Sequence, residues 1–393
     1  MKNTTSFIIY NSVSQLPAKW DEVACKNIFL SKSYLAVLEH AAPSNMSNRF
    51  IGLFCQEELC GVVVLQQLQL RNLSSFGERD SRFKTRIREL VFRNFASNVL
   101  VVGNNMLTGQ NAFALSKNIT TQTAIKLILE AVRKIKTESI SIRKPIHLTV
   151  FKDFSKVEIA NFSDSDLRDH TLFTTQPNMV FNVKEHWISV QDYIDDLTKK
   201  YRDQYKRARK KAAGIEKRKL DLLDISKFQK EIHRLYMTVA NQAPFNTFYL
   251  EQDHFLRMKE LLAEKFLFYG YFLDDELIGF STLIKNGGDI DTYFLGYDDD
   301  HQRERMLYLN MLYDMVSYAM KKGFRRVVLA RTALEIKSSV GATDVNMYGY
   351  IRHSNPLINR FMPQLFKYFE PEIDWHRRHP FKEQQSSGAV STL

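Results

Sequence analysis

The 393-residue sequence contains only three cysteines, Cys25, Cys55 and Cys60, which is too few for a disulfide framework. This low cysteine content indicates a reducing compartment. Four residues separate Cys55 from Cys60 and no second pair follows, so the spacing does not fit a common zinc-binding motif. We therefore expect neither a disulfide-stabilised fold nor a bound metal.

Long apolar runs are also missing. No stretch approaches the ~20 consecutive apolar residues that a membrane-spanning helix requires. The N-terminal sequence MKNTTSFIIYNSV has neither the long apolar segment nor the cleavage site of a signal peptide. We therefore expect a cytoplasmic protein whose contact with the inner membrane face, if it occurs, is peripheral.

Acidic residues are outnumbered by basic ones. The chain has 55 Lys and Arg against 44 Asp and Glu, a formal net charge of +11, while its apolar content of 44% is ordinary for a globular protein. Excess positive charge attracts acidic partners, namely nucleic acid, an anionic membrane surface or an acidic carrier protein. Charge alone does not choose among these partners.

Three common motifs are absent as well. The sequence has no glycine-rich dinucleotide fingerprint, no phosphate-binding loop ending in Gly-Lys-Ser/Thr and no Gly-x-Ser-x-Gly turn. It therefore gives no support for a Rossmann-type oxidoreductase, a P-loop NTPase or an α/β-hydrolase.

Two segments of the chain resemble each other. Phe50–Leu65 (FIGLFCQEELCGVVVL) aligns without gaps with Phe268–Leu283 (FYGYFLDDELIGFSTL), and seven of sixteen positions are identical. Each segment places an acidic turn between two apolar runs, which predicts a β-hairpin. A helix-periodic segment and then an apolar strand follow each hairpin: TTQTAIKLILEAVRKIK before IHLTVFKDF, and MLYLNMLYDMVSYAMKKGF before RRVVLART. The shared order predicts a duplicated α/β domain; chance similarity between two hairpins is the alternative.

A strongly basic segment separates the two copies. Lys199–Lys219 contains eleven Lys and Arg, and within Asp192–Leu220 the residues Leu197, Tyr201 and Tyr205 recur at every fourth position. This spacing predicts a helix over Asp192–Leu220 that docks by one face and leaves a basic face exposed. The basic face either binds an anionic partner, for which Arg202 and Arg209 are candidates, or is simply solvated.

These features suggest an N-terminal domain over residues 1–190 and a C-terminal catalytic domain over residues 191–382. Each is expected to contain a mixed central sheet flanked by helices. The last residues, 383–393, are small and polar, and we expect them to be disordered.

Residues 289–342, from DIDTYFLGYDDDHQRERMLY to RRVVLARTALEIKSSVGA, resemble the GNAT superfamily of acyltransferases. The likeness is greatest to its FemAB-like branch, which has two GNAT-type domains in one chain, and the segments TVFKDF and KKYRDQYKRARKK are also similar to that branch. The resemblance spans roughly Phe50–Asn359, is strongest over Phe268–Ala342, and depends on the order of several segments. It implies tandem GNAT-like domains that move an acyl group from an activated donor to an amine.

One departure from the superfamily concerns the acyl donor. Acetyl-CoA enzymes of the superfamily hold the pyrophosphate in a glycine-containing turn at a helix N-terminus, but the matching Asp298–Tyr308 (DDDHQRERMLY) has no glycine and three aspartates. Side chains would crowd a phosphate out of such a turn. We therefore expect no tightly bound cofactor and an acyl thioester co-substrate, on an acyl-carrier protein or on acyl-CoA; a charged tRNA is the alternative donor.

Glu335 and Asp291 are the two candidates for the general base that must deprotonate the amine. Glu335 follows the strand Val327–Ala330, where burial would raise its pKa and Arg331 and Lys337 would lower it. Glu335 is therefore either the base or an ion-pair partner that orients other groups.

Asp291 lies in a strand whose alternation places Asp289, Asp291 and Tyr293 on one face. This face suits an amine-binding cleft, although an exposed edge strand would show the same pattern.

Other residues could hold the donor or the acceptor. Arg331, Lys337 and Ser338 could bind an anionic group, and Lys337 or a backbone amide near Ser338 could stabilise the oxyanion. Phe245 could line an acyl pocket, although an ordinary core segment is the favoured interpretation of its surroundings.

We therefore predict N-acylation of an amine from a thioester donor, with a lipid or cell-envelope precursor as acceptor. That acceptor follows only from the FemAB-like resemblance. Two alternatives remain: aminoacyl transfer from charged tRNA, and a non-catalytic protein that binds nucleic acid or a membrane surface through its basic segment.

Overall fold

The computed structural model describes residues 5–70, 97–162, 164–243, 246–364 and 375–382. Fourteen α-helices lie within this part of the chain, several of them a single turn long: α1 Trp20–Ala24, α2 Lys32–His40, α3 Thr121–Ser141, α4 Lys156–Ile159, α5 Asp164–Leu167, α6 Val190–Asp196, α7 Lys199–Lys211, α8 Leu222–Lys227, α9 Gln229–Asn241, α10 His254–Leu262, α11 Asp299–Arg305, α12 Leu307–Lys322, α13 Leu334–Ser339 and α14 Pro356–Arg360.

Thirteen strands of the described residues join in one mixed sheet: β1 Thr5–Tyr10, β2 Met46–Cys55, β3 Glu58–Gln69, β4 Asn98–Val102, β5 Phe113–Leu115, β6 Leu148–Phe154, β7 Thr171–Asn182, β8 Glu216–Leu220, β9 Phe266–Leu273, β10 Glu276–Asn286, β11 Asp289–Tyr297, β12 Arg326–Ala330 and β13 Thr343–His353. Their order is β1-β2-β3-β4-β6-β13-β7-β12-β11-β10-β9-β8, with β5 paired to β3.

The two long central strands are exchanged between the halves of the chain. β7 follows β6 in sequence but pairs with β12 and β13, whereas β13 follows β12 but pairs with β6 and β7. Five strands of each half therefore flank a central β13–β7 pair, and the sheet is continuous from one half to the other. We use "first half" for residues up to 190 and "second half" for the rest; the domain boundaries themselves stay a prediction.

The two predicted hairpins are confirmed, and their acidic turns share one geometry. β2 pairs with β3 across Gln56 and Glu57, and β9 pairs with β10 across Asp274 and Asp275. All four turn residues have positive φ, from 50° to 67°, as expected for two-residue hairpin loops whose twist matches the strands. The predicted helix and strand follow each hairpin, as α3 and β6 and as α12 and β12.

Helices cover the two faces of the sheet differently. On one face, the first-half helices α1 and α2 and the second-half helices α8, α9 and α10 pack into a single apolar core, which we call the shared core. On the other face, α3 covers the first half and α6, α7 and α12 cover the second half in separate cores. The shared core therefore joins the halves a second time, in addition to the sheet.

The basic segment is not one helix, contrary to the prediction. α6 ends at Asp196, Leu197 is extended, α7 ends at Lys211, and residues 216–220 form the edge strand β8, which pairs with β9. Gly214, at φ +86°, allows the turn between α7 and β8. The predicted docking face is confirmed, because Leu197 and Tyr201 are buried and Tyr205 packs against the second-half core.

A search of the described helices for one long and apolar enough to cross a bilayer finds none.

The close approach of β11 to α9 gives a test of the fold. A Cβ at Gly296 would lie 2.5 Å from the backbone carbon of Leu235 and 2.6 Å from the backbone nitrogen of Tyr236. Because backbone atoms cannot move aside as a side chain can, Gly296→Ala should lower the free energy of unfolding by about 1–3 kcal/mol. Urea denaturation followed by circular dichroism would measure this change.

Gly288→Ala is the matched control. A Cβ there meets only the exposed side chain of Arg325, at 2.7 Å, so its cost should stay below about 0.5 kcal/mol. Equal costs at the two glycines would contradict the described packing of α9 on β11.

Candidate functional site

Charged residues from both halves meet at the centre of the sheet. Asp153, near the end of β6, forms ion pairs with the neighbouring Lys152, at 2.6 Å, and with Arg331, which directly follows β12. Arg331 also donates to the hydroxyl of Thr175 on β7, at 3.3 Å. We call Lys152, Asp153, Arg331 and the nearby Lys337 the central cluster. The strand exchange brings these residues together, because β13 and β7 separate β6 from β12 by only two strands.

Asp153 is the acceptor around which the central cluster is arranged. It is fully buried and has a φ of +67°, a conformation that non-glycine residues adopt rarely and at a cost. The ammonium of Lys152 also donates to the backbone carbonyls of Asn104, at 3.2 Å, and Leu107, at 2.8 Å. Burial first, and the charge of Arg331 second, hold the pKa of Lys152 well below its usual value.

Lys337 supports the turn that orients Arg331. Its buried ammonium group donates to the carbonyl oxygens of Ala330, at 3.3 Å, and Arg331, at 2.5 Å. In this turn Ala330, Thr332 and Ala333 all have positive φ. Burial lowers the pKa of Lys337 to about 7 and that of Arg331 to about 10, so Arg331 remains a cation at neutral pH.

Glu335 and Ser338 contact the C-terminal segment and not the central cluster. The Glu335 carboxylate accepts from the backbone N–H of His376, at 3.2 Å, and from Arg378, at 2.8 Å. The Ser338 hydroxyl accepts from the backbone N–H of Arg378, at 3.1 Å. The sequence suggested that Arg331 and Lys337 would lie beside Glu335. In the structure, Glu335 instead contacts His376 and Arg378.

The surroundings of Glu335 correspond to the ion-pair alternative. The hydrogen bond from the His376 backbone, and then that from Arg378, hold its pKa below the usual range. Its side chain is 49% exposed. A general base working near neutral pH needs a raised pKa, and these surroundings have the opposite effect.

β11 and β12 separate next to Asp291. The two strands run parallel and pair at three positions, the last being Asp291 with Val328. β11 continues to Tyr297 beside β10, whereas β12 ends at Ala330. The strands therefore part toward their carboxyl ends, and Arg331 lies where β12 leaves the sheet.

Asp291 has the environment expected of a base. It is buried and accepts a hydrogen bond from the amide of Asn286, at 3.1 Å. Burial, partly opposed by that bond, raises its pKa to about 7. Asp289, on the same face, is instead bound by Arg326, at 2.5 Å. Asp291 is therefore a buried carboxylate whose pKa lies near neutral pH.

Tyr293 belongs to a buried chain of polar groups that crosses between the halves. His254 bonds the carbonyl of Ala41 through Nδ1, at 2.8 Å, and the hydroxyl of Tyr293 through Nε2, at 2.9 Å. Burial lowers the pKa of His254 to about 4, so the ring is neutral at pH 7. Because a carbonyl only accepts, Nδ1 carries the proton and the Tyr293 hydroxyl donates to Nε2.

The chain continues into the first half through two further residues. The hydroxyl of Tyr34 lies beside that of Tyr293 and accepts from the amide of Asn104, at 3.2 Å. Asn104 is the residue whose carbonyl accepts from Lys152. A continuous polar path therefore links the central cluster to the shared core.

The predicted anion-binding arginines of α7 are engaged within the fold. Arg202 donates to the carbonyl of Leu197, at 3.0 Å, and Arg209 forms an ion pair with Asp314, at 2.8 Å. The remaining cations of α7 are exposed, and no ion pair is found for them within the described chain: Lys199, Lys200, Lys206, Arg207, Lys210 and Lys211. We call these six residues the basic face of α7.

Side chains of the chain itself bind backbone N–H groups at the two helix starts that follow β11. Asp298 accepts from the backbone N–H groups of Asp300 and His301, at 3.1 and 3.3 Å, and so caps α11. Gln302 accepts from the backbone N–H of Tyr308, at 2.7 Å, in the first turn of α12. Three of the backbone donors that could hold a phosphate at these helix N-termini are therefore already used.

Two predictions concern ligands that the structure does not show. Phe245 lies outside the described residues, so its place near an acyl pocket stays a prediction. Within the described ranges, no group of three or more His, Cys, Asp or Glu side chains is arranged to hold a metal ion.

Comparisons with known proteins agree with this architecture. Residues 199–338 match the sequence model of an acetyltransferase (GNAT) domain. A crystal structure of FemX superposes with a TM-score of 0.55 at 9% identity, covering 91% of this chain and 99% of FemX. Residues 199–338 therefore contain a GNAT-type domain, the chain as a whole has a fold similar to that of FemX, and the predicted tandem GNAT-like α/β architecture is confirmed.

Two further solved structures are similar at lower scores. A tandem GNAT protein from the clavulanic acid biosynthesis pathway has a TM-score of 0.49 at 8% identity, covering 90% of this chain and 99% of its own. L-PGS from Bacillus licheniformis has a TM-score of 0.46 at 12% identity, covering 86% and 96%. A search of curated protein sequences finds no match.

Several residues of this site could not be recognised from the sequence. Lys152 and Asp153 were visible only as two charges near the end of an apolar strand, in TVFKDF. Tyr34, Asn104 and His254 gave no signal, because each lies in a different segment and only the tertiary structure joins them.

The central cluster predicts a large stability effect. Asp153→Asn would leave Lys152 and Arg331 buried without a carboxylate, so the free energy of unfolding should fall by about 3–5 kcal/mol. Glu335→Gln, which removes an exposed ion pair, should have a much smaller effect. Chemical denaturation of both variants would measure the difference, and similar small losses would show that Asp153 does not hold the cluster together.

Proposed function

We propose that this protein is an N-acyltransferase that moves an acyl group from a thioester donor to an amine. The reaction would take place where β11 and β12 part. The observation that carries the proposal is the position of Asp291, a buried carboxylate that titrates near neutral pH at the last paired position of these two strands. The GNAT match over residues 199–338 includes this point and supports the reaction class.

Asp291 is the proposed base. Attack on a thioester requires an unprotonated amine, and a base whose pKa lies near the working pH is the most effective at removing the proton. Asp291 has such a pKa, whereas that of Glu335 is lowered by its partners. We therefore favour Asp291 over Glu335, the first choice of the sequence analysis.

Arg331 is the proposed source of positive charge for the anionic intermediate. Asp153 and Thr175 fix its guanidinium, and Lys337 holds the backbone turn that presents it. A fixed cation in a site of low polarity stabilises developing negative charge without needing to reorganise. Lys337 then acts as a positioning residue through the carbonyls of Ala330 and Arg331.

The proposed donor is an acyl group carried by an acidic carrier protein, with a lipid or cell-envelope precursor as acceptor. The basic face of α7 has six exposed cations. Positive charge at this density attracts a negatively charged partner. The backbone N–H groups already bound by Asp298 in α11 and by Gln302 in α12 argue against holding free acyl-CoA by its phosphates. Aminoacyl transfer from charged tRNA is a second candidate, because the same basic face fits a polyanion.

The pH dependence of turnover tests the role of Asp291. The pKa of about 7 means that the active carboxylate is lost as pH falls below 7. The kcat/KM for acyl transfer should therefore drop about tenfold per pH unit below 7 and level off above it. Asp291→Asn should lower kcat/KM by about 10²-fold or more and abolish this dependence.

Asp344→Asn is the control, since Asp344 is a half-buried carboxylate of β13 paired with Arg377. It should keep turnover within about threefold of the unaltered protein. Product can be measured by mass spectrometry with acyl-carrier, acyl-CoA and aminoacyl-tRNA donors in parallel. Undiminished turnover by folded Asp291→Asn protein would rule out Asp291 as the base.

Charge reversal on the basic face of α7 tests the donor. Changing Lys206, Arg207 and Lys210 together to Glu should raise the KM for acyl-carrier protein about tenfold or more at low salt, and much less at high salt. The kcat should change little, because these side chains lie on the outer surface of α7.

The control reverses three exposed lysines of the first half, Lys19, Lys26 and Lys117, and should leave KM unchanged. Turnover with aminoacyl-tRNA alone would select the second candidate. Turnover with acyl-CoA that is unchanged in the charge-reversed variant would contradict a carrier-protein donor. Absence of turnover with every donor, together with nucleic-acid or vesicle binding lost on charge reversal, would favour a non-catalytic binder.

A further inference from the structure

A cavity lies mainly in the first half, away from the proposed acyl-transfer site. It has a volume of about 290 Å³ and opens between α3, β6 and β13, on the face of the sheet opposite the shared core. Its lining combines two apolar side chains with a set of polar and basic ones: Leu129, Val132, Arg133, Lys136, Thr137, Thr149, His170 and Arg352.

Positive charge dominates the lining of this cavity. Arg133, Lys136 and Arg352 contribute three cations, and no lining residue is acidic. Asp169 forms an ion pair with Arg352 at 3.8 Å, and its own side chain is 63% exposed. A pair of that length and exposure neutralises little of the charge.

The pKa values of two lining groups reflect this excess. Burial, and then the charge of Arg352, lower the pKa of Lys136. Burial, and then Arg352, lower that of His170 to about 4, so the ring is neutral at pH 7. Each further cation in the cavity is therefore disfavoured, whereas an anion would relieve the repulsion.

A buried hydroxyl in the cavity wall has no partner in the protein. Thr149, on β6, is 2% exposed, and its Oγ1 makes no hydrogen bond within the described structure. Its backbone pairs with Arg352 on β13, so the hydroxyl and the guanidinium belong to adjacent strands. Buried polar groups are nearly always hydrogen-bonded, and a ligand in the cavity would provide the missing partner.

We propose that this cavity binds a phosphate group. Arginine and lysine are the residues that hold phosphate oxygens, Arg352 through paired N–H donors and Lys136 as a point charge. The Thr149 hydroxyl would donate one further hydrogen bond. The volume of about 290 Å³ accommodates a phosphate with a small attached group, near the lower limit of ligand pockets.

The phosphate could belong to a soluble metabolite or to a lipid headgroup. Ile140 lies one helical turn beyond Lys136 on the same side of α3, and Ile142 follows at the end of that helix, and both are 66% exposed. Exposed apolar residues beside a basic cavity are compatible with a headgroup site, while the cavity alone suits a free phosphomonoester. Both sources share the phosphate group, and the experiment separates them.

Binding would be measured on the full-length protein with two probes. Titration calorimetry with glycerol 3-phosphate tests the soluble source, with uncharged glycerol as the blank. Sedimentation with phosphatidylcholine vesicles, with and without phosphatidic acid, tests the lipid source. Saturable binding of glycerol 3-phosphate supports the proposal with a soluble ligand, and binding only to phosphatidic acid vesicles supports it with a lipid ligand.

Variants show whether the binding occurs in this cavity. Lys136→Gln and Arg352→Gln should each weaken binding about tenfold, and Thr149→Val, which keeps shape and charge, about threefold. Lys134→Gln is the matched control, because Lys134 is an exposed cation of the same helix that does not line the cavity. It should leave affinity within about twofold.

Thermal unfolding of each variant would confirm that it is folded. Failure of both probes to bind at millimolar concentration would overturn the proposal. So would equal losses at Lys134 and Lys136, which indicate non-specific attraction. Because the readout is binding, this outcome is independent of whether the protein transfers acyl groups.

Discussion

The pairing of β7 with β13 is the constraint on which the other features of this protein depend. Each of these strands belongs by sequence to one half of the chain, and by hydrogen bonding it also completes the other half. The exchange fuses two sheets into one and places the ends of β6 and β12 close together. Without it, Asp153 and Arg331 would lie in separate domains, and the central cluster would not form.

Burying the charges of the central cluster lowers the stability of the fold, which indicates that the cluster has a role beyond packing. One buried carboxylate, Asp153, pairs with both Lys152 and Arg331, while Lys337 donates to the backbone carbonyls of Ala330 and Arg331. Burying a charge costs several kcal/mol unless paired and hydrogen-bonded groups offset it. Burial accordingly lowers the pKa values of Lys152, Arg331 and Lys337. The result is a fixed, positively charged centre at the end of β12, where negative charge can be stabilised.

Sequence patterns predicted the features that depend on local order. The two hairpins followed from apolar runs around acidic turns, and the docking face of α7 from Leu197, Tyr201 and Tyr205. Strand alternation placed Asp289 and Asp291 on one face and so identified Asp291 as a candidate. Burial raises the pKa of Asp291 to about 7.

The features that failed or escaped prediction depend on long-range contacts. The helix predicted over Asp192–Leu220 ends early because β8 gains pairing with β9, a contact that the segment itself does not reveal. Glu335 was chosen as the first candidate because it follows the end of β12, but Arg378, which is distant in sequence, is its partner. Asp153 and His254 could not be assigned from the sequence because each has a partner in the other half of the chain, Arg331 for Asp153 and Ala41 for His254.

The strand exchange also bears on how the protein is made. Both neighbours of β7 come from the last quarter of the sequence, so an emerging chain exposes β7 with two open edges until β12 and β13 leave the ribosome. Open strand edges favour association with other chains, and contacts between distant segments form slowly. During translation, therefore, the first half is a vulnerable intermediate whose completion depends on residues that have yet to be synthesised.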